Sequence, residues 1–298
     1  MDFLKLAKYF FTISAALTIA SIVLVFVPGP RLGIEFTGGT RMEIAVTDKT
    51  LTPEKVETIM KAFTPEVQPT VNRTQNGNFL IKMTNIDDPT HQSLLAYLKT
   101  NLNGIEETQY TTIGPTVGAT LKTRAAYAVI ATAFGIILYL AWAFRKVPRK
   151  YSPWKFGVVA VATLLHDVMV TVGVFVVLSR YTTFEVDTLF VTALLTVLGY
   201  SVNDTIIVFD RIRDNLFMQD RKEDFAVVAN RSVNQTWVRS CYTSGAVLIM
   251  LLSLLFLGSA SITWFVLTLV IGVSLGTYSS IFVATPLLVY WNNRKQRF

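Results

Sequence analysis

About six runs of roughly 20 apolar residues, at 9–27, 125–144, 156–178, 188–209, 240–257 and 262–291, govern what this chain can become. A run of that length spans the hydrocarbon core of a bilayer as a helix, and only a helix or a closed barrel satisfies its backbone there. The composition agrees. Of 298 residues 52% are hydrophobic and only 16% charged, against roughly 25% charged in soluble domains. The expected class is therefore an α-helical polytopic membrane protein.

The first run follows Lys5 and Lys8 and leaves through Val27-Pro28-Gly29-Pro30. That exit lacks the small-residue pattern of a signal-peptidase site, so the run is expected to be an uncleaved spanning helix. The net charge of +7 is a question of placement, and nucleic acid is not an expected partner. Arg145, Lys146, Arg149, Lys150 and Lys155 separate the second and third runs with no acid among them, and Arg294, Lys295 and Arg297 close the chain. The positive-inside rule then puts both termini in the cytoplasm and the long segment between the first two spans outside. Residues 211–239 mix Arg221, Lys222, Glu223 and Asp224 with Phe217, Met218, Phe225, Val227 and Val228. They read equally as a short amphipathic surface helix or as a solvated connection.

Expected boundaries are 1–29 for the first spanning helix, 30–122 for an external α+β domain and 123–298 for a five-helix bundle. Within the α+β domain Thr40 to Thr47 alternates as a strand, with Met42, Ile44 and Val46 on one face. Thr52 caps a helix that has Pro53 at its first position. Val67 to Arg73 and Phe79 to Met83 flank Asn76-Gly77, a hairpin signal. Asp87-Asp88-Pro89 opens a second helix, and Thr108 to Thr112 is the last strand. The order β-α-β-β-α-β is the ferredoxin-like plan. No catalytic set appears in it, and His91 stands without a second histidine or a cysteine nearby. The lone Cys241 and the two histidines give neither a disulfide nor a histidine-built metal site. Gly33, Gly38 and Gly39 before the domain, and Gly114, Pro115 and Gly118 after it, are expected as turns needing positive φ or as a hinge to the membrane.

Inside the apolar runs lies a polar set. His166-Asp167 falls near the middle of the third run, Asn203-Asp204 near the end of the fourth, and Gln235, Thr236 and Arg239 open the fifth. A charge at the centre of a membrane helix costs about 2.5–3.5 kcal/mol on insertion scales. Asp204 and Arg239 reach similar depth from the side where their helices connect, each within about 5–8 Å of the boundary. Pairing would let both be kept, and a carboxylate balanced between desolvation and a cation can exchange protons. The alternative is a packing ion pair. His166 and Asp167 point about 100° apart, so one is expected to line the polar seam and the other to cap it. Gly199 and Ser201 put small groups beside Asp204, and Gly272 and Gly276 form G-x-x-x-G in the last run.

The GIEFTGGT stretch from Gly33, Ile113-Gly114-Pro115-Thr116-Val117-Gly118, Leu165-His166-Asp167-Val168, the run Gly199 to Arg213, Asn234-Gln235-Thr236 with Arg239, and Ile271 to Thr277 together resemble SecF-type chains of the SecD/SecF family. That family serves bacterial protein export within the RND superfamily. The resemblance implies a six-helix RND-type half bundle with an inserted periplasmic domain, in the inner membrane. It implies a separate SecD partner, association with the SecYEG channel, indirect cooperation with SecA, and an unfolded preprotein as client, with lipids around the bundle. It further implies that the proton-motive force drives the cycle without a cofactor, with Asp204 and Arg239 in the proton path and Asp167 and His166 beside it. An RND-type exporter of lipid or small molecules shares the proton chemistry but has much larger external domains. An intramembrane aspartyl protease using Asp167 and Asp204 lacks its Gly-x-Gly-Asp motif here.

Overall fold

The computed structural model describes residues 3–293 apart from 49, 75, 76, 103, 147, 149, 150 and 219–222. The described residues form two compact units. One holds 31–127 and 185–188, the other 1–30, 128–184 and 189–298.

The smaller unit is built as its sequence periods dictate. After α1 (Phe3–Phe26) of the larger unit and a short helix α2 (Ile34–Thr37) come β1 (Gly39–Val46), α3 (Pro53–Phe63), β2 (Thr70–Arg73), β3 (Phe79–Met83), α4 (Asp88–Asn101) and β4 (Ile105–Ile113). The strands form one antiparallel sheet in the order β2-β3-β1-β4, the ferredoxin-like arrangement expected. Met42, Ile44, Phe79 and Ile81 on one sheet face meet Val56, Met60, Leu94 and Leu98 from the helices, all fully buried. Period 2 on the strands and 3.6 on the helices puts these residues on facing sides. The first helix carries the anticipated cap, the Thr52 hydroxyl accepting from Lys55 N, and the second opens where expected, with Asp87 Oδ1 accepting from Thr90 N at 3.1 Å. At the β2–β3 turn Gly77 has φ +87, while Asn76 lies outside the described residues. β4 begins three residues earlier than the sequence suggests, because a bulge beside Glu43 and Ile44 lets β1 pair along its whole length.

The glycine stretches at either end of this unit meet each other. Gly38 (φ +75) and Gly39 (φ +132) adopt conformations that residues with a Cβ rarely reach. A Cβ on Gly38 would sit 2.9 Å from Pro115 Cα, and one on Gly118 would sit 2.8 Å from Gly38 N. Gly33 N donates to Val186 O at 2.8 Å, and Lys82 pairs with Glu185. Close backbone approach explains these glycines. Gly114, by contrast, has open space around it.

The larger unit is helical: α1, α5 (Pro115–Ala143, which starts in the smaller unit), α6 (Pro153–Tyr181), α7 (Thr188–Met218), α8 (Phe225–Leu257), α9 (Thr263–Ser279) and α10 (Thr285–Asn293). Among the described residues six helices are long and apolar enough to cross a membrane, the last comprising α9 and α10 together. α7 and α8 run well past the apolar segments that mark them. Phe209, Ile212 and Leu216 on α7 face Phe225, Val228, Ala229 and Val233 on α8, all buried. The charged stretch before Arg239 is thus the first turns of a continuous α8, and a separate surface helix over 225–239 does not form. Its apolar residues recur at helical spacing and are covered by α7. Arg221 and Lys222 of that stretch lie outside the described residues, as do Arg149, Lys150 and the basic residues 294–297.

Between α9 and α10 the last span widens into a π-turn at Ser280–Ala284, just ahead of Pro286. Proline lacks an N–H and clashes with the carbonyl four residues back. One wider turn absorbs that clash without breaking the helix.

Candidate functional site

Three helices bring their smallest residues together. A Cβ on Gly272 of α9 would run into the Val197 side chain of α7, and one on Gly276 would lie 3.0 Å from Ser201 Cβ. One turn further, Ser280 Oγ and Thr205 Oγ1 are 2.9 Å apart. The register Val197-Ser201-Thr205 against Gly272-Gly276-Ser280 is a four-residue rhythm on both helices, the close-packed seam expected of small residues in a membrane.

The seam closes over Asp167 of α6, which is wholly buried. Its Oδ2 accepts from Ser201 Oγ at 2.5 Å and from Ser279 Oγ at 2.7 Å, and its Oδ1 meets His166 Nδ1 at 2.8 Å. With Asp167 as a carboxylate, the proton of that last bond sits on Nδ1. His166 Nε2 is buried without a partner. The two neighbours therefore do not divide into a liner and a cap. Both are buried, and the histidine ring folds back onto the adjacent carboxylate.

Asp204 lies one turn beyond Ser201 on α7 and is 3% exposed. Ser240 of α8 is the polar side chain beside it. Neither Asp204 Oδ2 nor Ser240 Oγ has a hydrogen-bond partner, so the two groups face each other without closing a bond. Leaving a buried acceptor unsatisfied costs about 1–3 kcal/mol. The contrast with Asp167 is chemical: one carboxylate is held by three partners, and the other keeps an oxygen uncommitted.

The expected pairing of Asp204 with Arg239 is absent. Arg239 is exposed, while its neighbour Ser240 is buried against the bundle. Adjacent helical positions are about 100° apart, so the face of α8 that brings Ser240 to Asp204 turns Arg239 outward. Asn203 and Gly199 are exposed on α7 in the same way, and nothing lies within 4 Å of where a Cβ on Gly199 would stand. Gln235 joins neither carboxylate. Its Oε1 accepts from Arg211 Nε at 2.7 Å and Asn215 Nδ2 at 2.8 Å, tying the α7–α8 hairpin.

Sequence reasoning missed Ser240, Ser279 and Thr205. Ser279 follows Gly276 by three residues and Ser280 follows it by four, so both lie on the seam face, Ser279 meeting Asp167 and Ser280 meeting Thr205. Ser240 is flagged only by lying next to Arg239. Tyr200 and Ser244, joined at 2.8 Å, and Ser244 and Thr277, at 2.6 Å, extend the hydroxyl links across α7, α8 and α9. Among the described residues no group of three or more His, Cys, Asp or Glu is placed to hold a metal ion.

The fold and the site define a class: a six-helix half bundle of the RND type carrying a ferredoxin-like insertion, with buried carboxylates on its third and fourth spans. Comparison with known proteins gives the family within that class. Residues 94–294 match the C-terminal profile of the protein export membrane proteins SecD/SecF, and residues 23–49 match the SecD/SecF GG motif. A SecF translocase subunit of Thermobaculum terrenum is 38% identical over 99% of this chain and 95% of its own length. The SecDF protein of Bacillus subtilis is 34% identical over 99% of the chain, which spans 38% of that longer protein. Among solved structures, SecDF of Thermus thermophilus, described as translocon-associated, matches with TM-score 0.85 at 31% identity, covering 99% of this chain and 39% of that one. A SecDF structure in a super-membrane-facing form matches with TM-score 0.71 at 31% identity, covering 100% of this chain and 39% of that one. The chain belongs to the SecD/SecF family of protein-export membrane proteins, and is a multi-pass protein of the inner membrane.

Proposed function

We propose that this chain is the accessory subunit of a protein translocase that works with a separate SecD polypeptide and the SecYEG channel. It uses the proton-motive force to promote movement of preproteins on the outer side of the membrane, while SecA acts from the cytoplasm. The reading rests on family membership and on one observation: Asp204 is a buried carboxyl with an uncommitted oxygen inside a tight helical seam. Such a group can accept a proton, change its partners and alter how α7 lies against α8 and α9.

The exposed polar positions support a membrane partner. Arg239, Asn203 and Gly199 would face lipid if this chain stood alone, and an arginine there is costly. A second half bundle, as SecD would supply, covers them and can give Arg239 its counter-charge. Both termini in the cytoplasm and the α+β unit outside follow from the basic loop between α5 and α6. One elementary charge crossing 100 mV releases about 2.3 kcal/mol, enough to move a two-state equilibrium by well over tenfold. Asp167, with His166, is the fixed node about which the seam is organised. No bound cofactor is needed in this scheme.

The test is Asp204→Asn in membrane vesicles with SecD, SecYEG and SecA present. Completion of preprotein translocation is followed with and without a proton gradient. The expected result is normal assembly with loss of the gradient-dependent part. Unchanged gradient-dependent export in the variant would contradict the proposal.

A further inference from the structure

Between the end of α5 and the start of α6 lies a groove of about 430 Å³. Ile137 of α5 and Gly157, Val158 and Val161 of α6 form its apolar bed. Its rim carries Arg145 and Trp154. Gly157 has no atom within 4 Å of where a Cβ would stand, so the absence of a side chain there keeps the bed open. From Pro153 to Val161 the bed runs about 12 Å along the helix. On the far side of the Val158 ridge lies a second apolar groove of about 300 Å³, bounded by Leu287, Tyr290 and Trp291.

The described residues that line these grooves include Arg145 and no Asp or Glu. In the sequence no Asp or Glu occurs between Glu107 and Asp167, whereas the connection between α5 and α6 carries Arg145, Lys146, Arg149, Lys150 and Lys155. Lys155 is engaged, donating to Trp291 O at 3.0 Å and Asn292 Oδ1 at 2.9 Å. Arg145 has a different role. Its guanidinium carbon lies 4.5 Å from the centroid of the Trp142 ring, and no described carboxylate pairs with it. An arginine stacked on an aromatic face presents its N–H fork to a phosphate with little freedom left to lose. Trp142, Trp154 and Tyr290 are all well exposed, as aromatic side chains are at the level of lipid headgroups.

We propose that this place is a binding site for one anionic phospholipid. Its phosphate sits on Arg145, one acyl chain lies over Gly157 between α5 and α6, and the other crosses Val158 toward Tyr290. A net-negative headgroup is favoured over a zwitterionic one because nothing acidic in the rim competes for Arg145. The site is independent of the proton-coupling reading, since none of its residues belongs to the Asp167–Asp204 seam.

The experiment uses the full chain in detergent, titrated with dioleoyl-phosphatidylglycerol or dioleoyl-phosphatidylcholine and read by native mass spectrometry. One phosphatidylglycerol is expected to bind about fivefold or more tighter than phosphatidylcholine, the difference one well-placed cation supplies at a membrane surface. Arg145→Gln should remove that preference, and Gly157→Leu should weaken both lipids by filling the bed. Equal binding of the two lipids, or phosphatidylglycerol binding unchanged in both variants, would overturn the proposal. A photo-reactive residue in place of Trp154, irradiated in membranes with the partner subunits present, should label lipid. Labelling of a protein instead would make the groove a protein interface and would equally overturn it.

Discussion

Gly276→Ala tests most sharply what the small-residue seam does. The added Cβ would lie 3.0 Å from Ser201 Cβ and 3.1 Å from Ser201 Cα. Carbon atoms prefer about 3.5–4.0 Å, so α7 and α9 must part by about 0.5–1 Å. If α7 takes up that displacement, the Ser201–Asp167 hydrogen bond, 2.5 Å in the native seam, lengthens to about 3.0–3.5 Å, at or beyond the useful limit of about 3.0 Å for an O–H···O bond. Overpacking of this kind costs about 1–3 kcal/mol, and a lost hydrogen bond to a buried charge about 1.5–3 kcal/mol. The two share one displacement and do not simply add, so the expectation is about 3 kcal/mol. Thermal unfolding of the purified chain, followed by intrinsic fluorescence, should show Tm lowered by about 5–10 °C. Gly199→Ala is the control, on the same seam-bearing helix as Ser201 but with open space around it, and should leave Tm within about 2 °C. Equal effects at the two positions, or none at Gly276, would refute the claim that close approach at Gly276 holds Asp167 in its cradle.

Gly38→Ala meets both a positive φ and the Pro115 backbone, so it should cost about 2–3 kcal/mol and speed proteolysis of the α+β unit. Gly77→Ala, with positive φ but open space, should cost about 1 kcal/mol. Lys155→Met leaves Trp291 O and Asn292 Oδ1 without their donor, and hydrogen exchange over 285–293 should rise at least several-fold. Asp87 is the cap of α4, and its hydrogen bonds from the Thr90 side chain and backbone hold its carboxyl below the ordinary 3.8. Because the folded value is depressed, the cap stabilises α4 above that pH and is lost as pH falls through the folded value. Exchange of α4 amides in Asp87→Ala should therefore exceed wild type near neutral pH and converge with it in acid.

Much of this architecture is legible in the sequence because single residues carry decisive signals. Thr52-Pro53 and Asp87-Asp88-Pro89 start their helices where the caps require, and alternation at Met42 and Ile44 points the right face of β1 inward. The six spans follow from length and hydropathy. What the sequence hides depends on rotation about helix axes. Arg239 and Ser240 differ by one residue, and only the packed bundle decides which of them meets Asp204. Ser279 stands three residues after Gly276 on α9, the other spacing that keeps helical residues on one face, and a strict four-residue rhythm passes over it. The glycine motifs around 38–39 and 114–118 are visible in the sequence, but the contact of Gly38 with Pro115 and Gly118 is a tertiary fact.

The most direct test of the central claim is infrared difference spectroscopy of the chain reconstituted with SecD, comparing acid and neutral buffer. The expected result is a protonated-carboxyl band that disappears in Asp204→Asn and survives in the Asp210→Asn control, an aspartate outside the seam. A band of full intensity in the Asp204→Asn protein would show that the exchangeable proton resides elsewhere and would contradict a coupling role for Asp204.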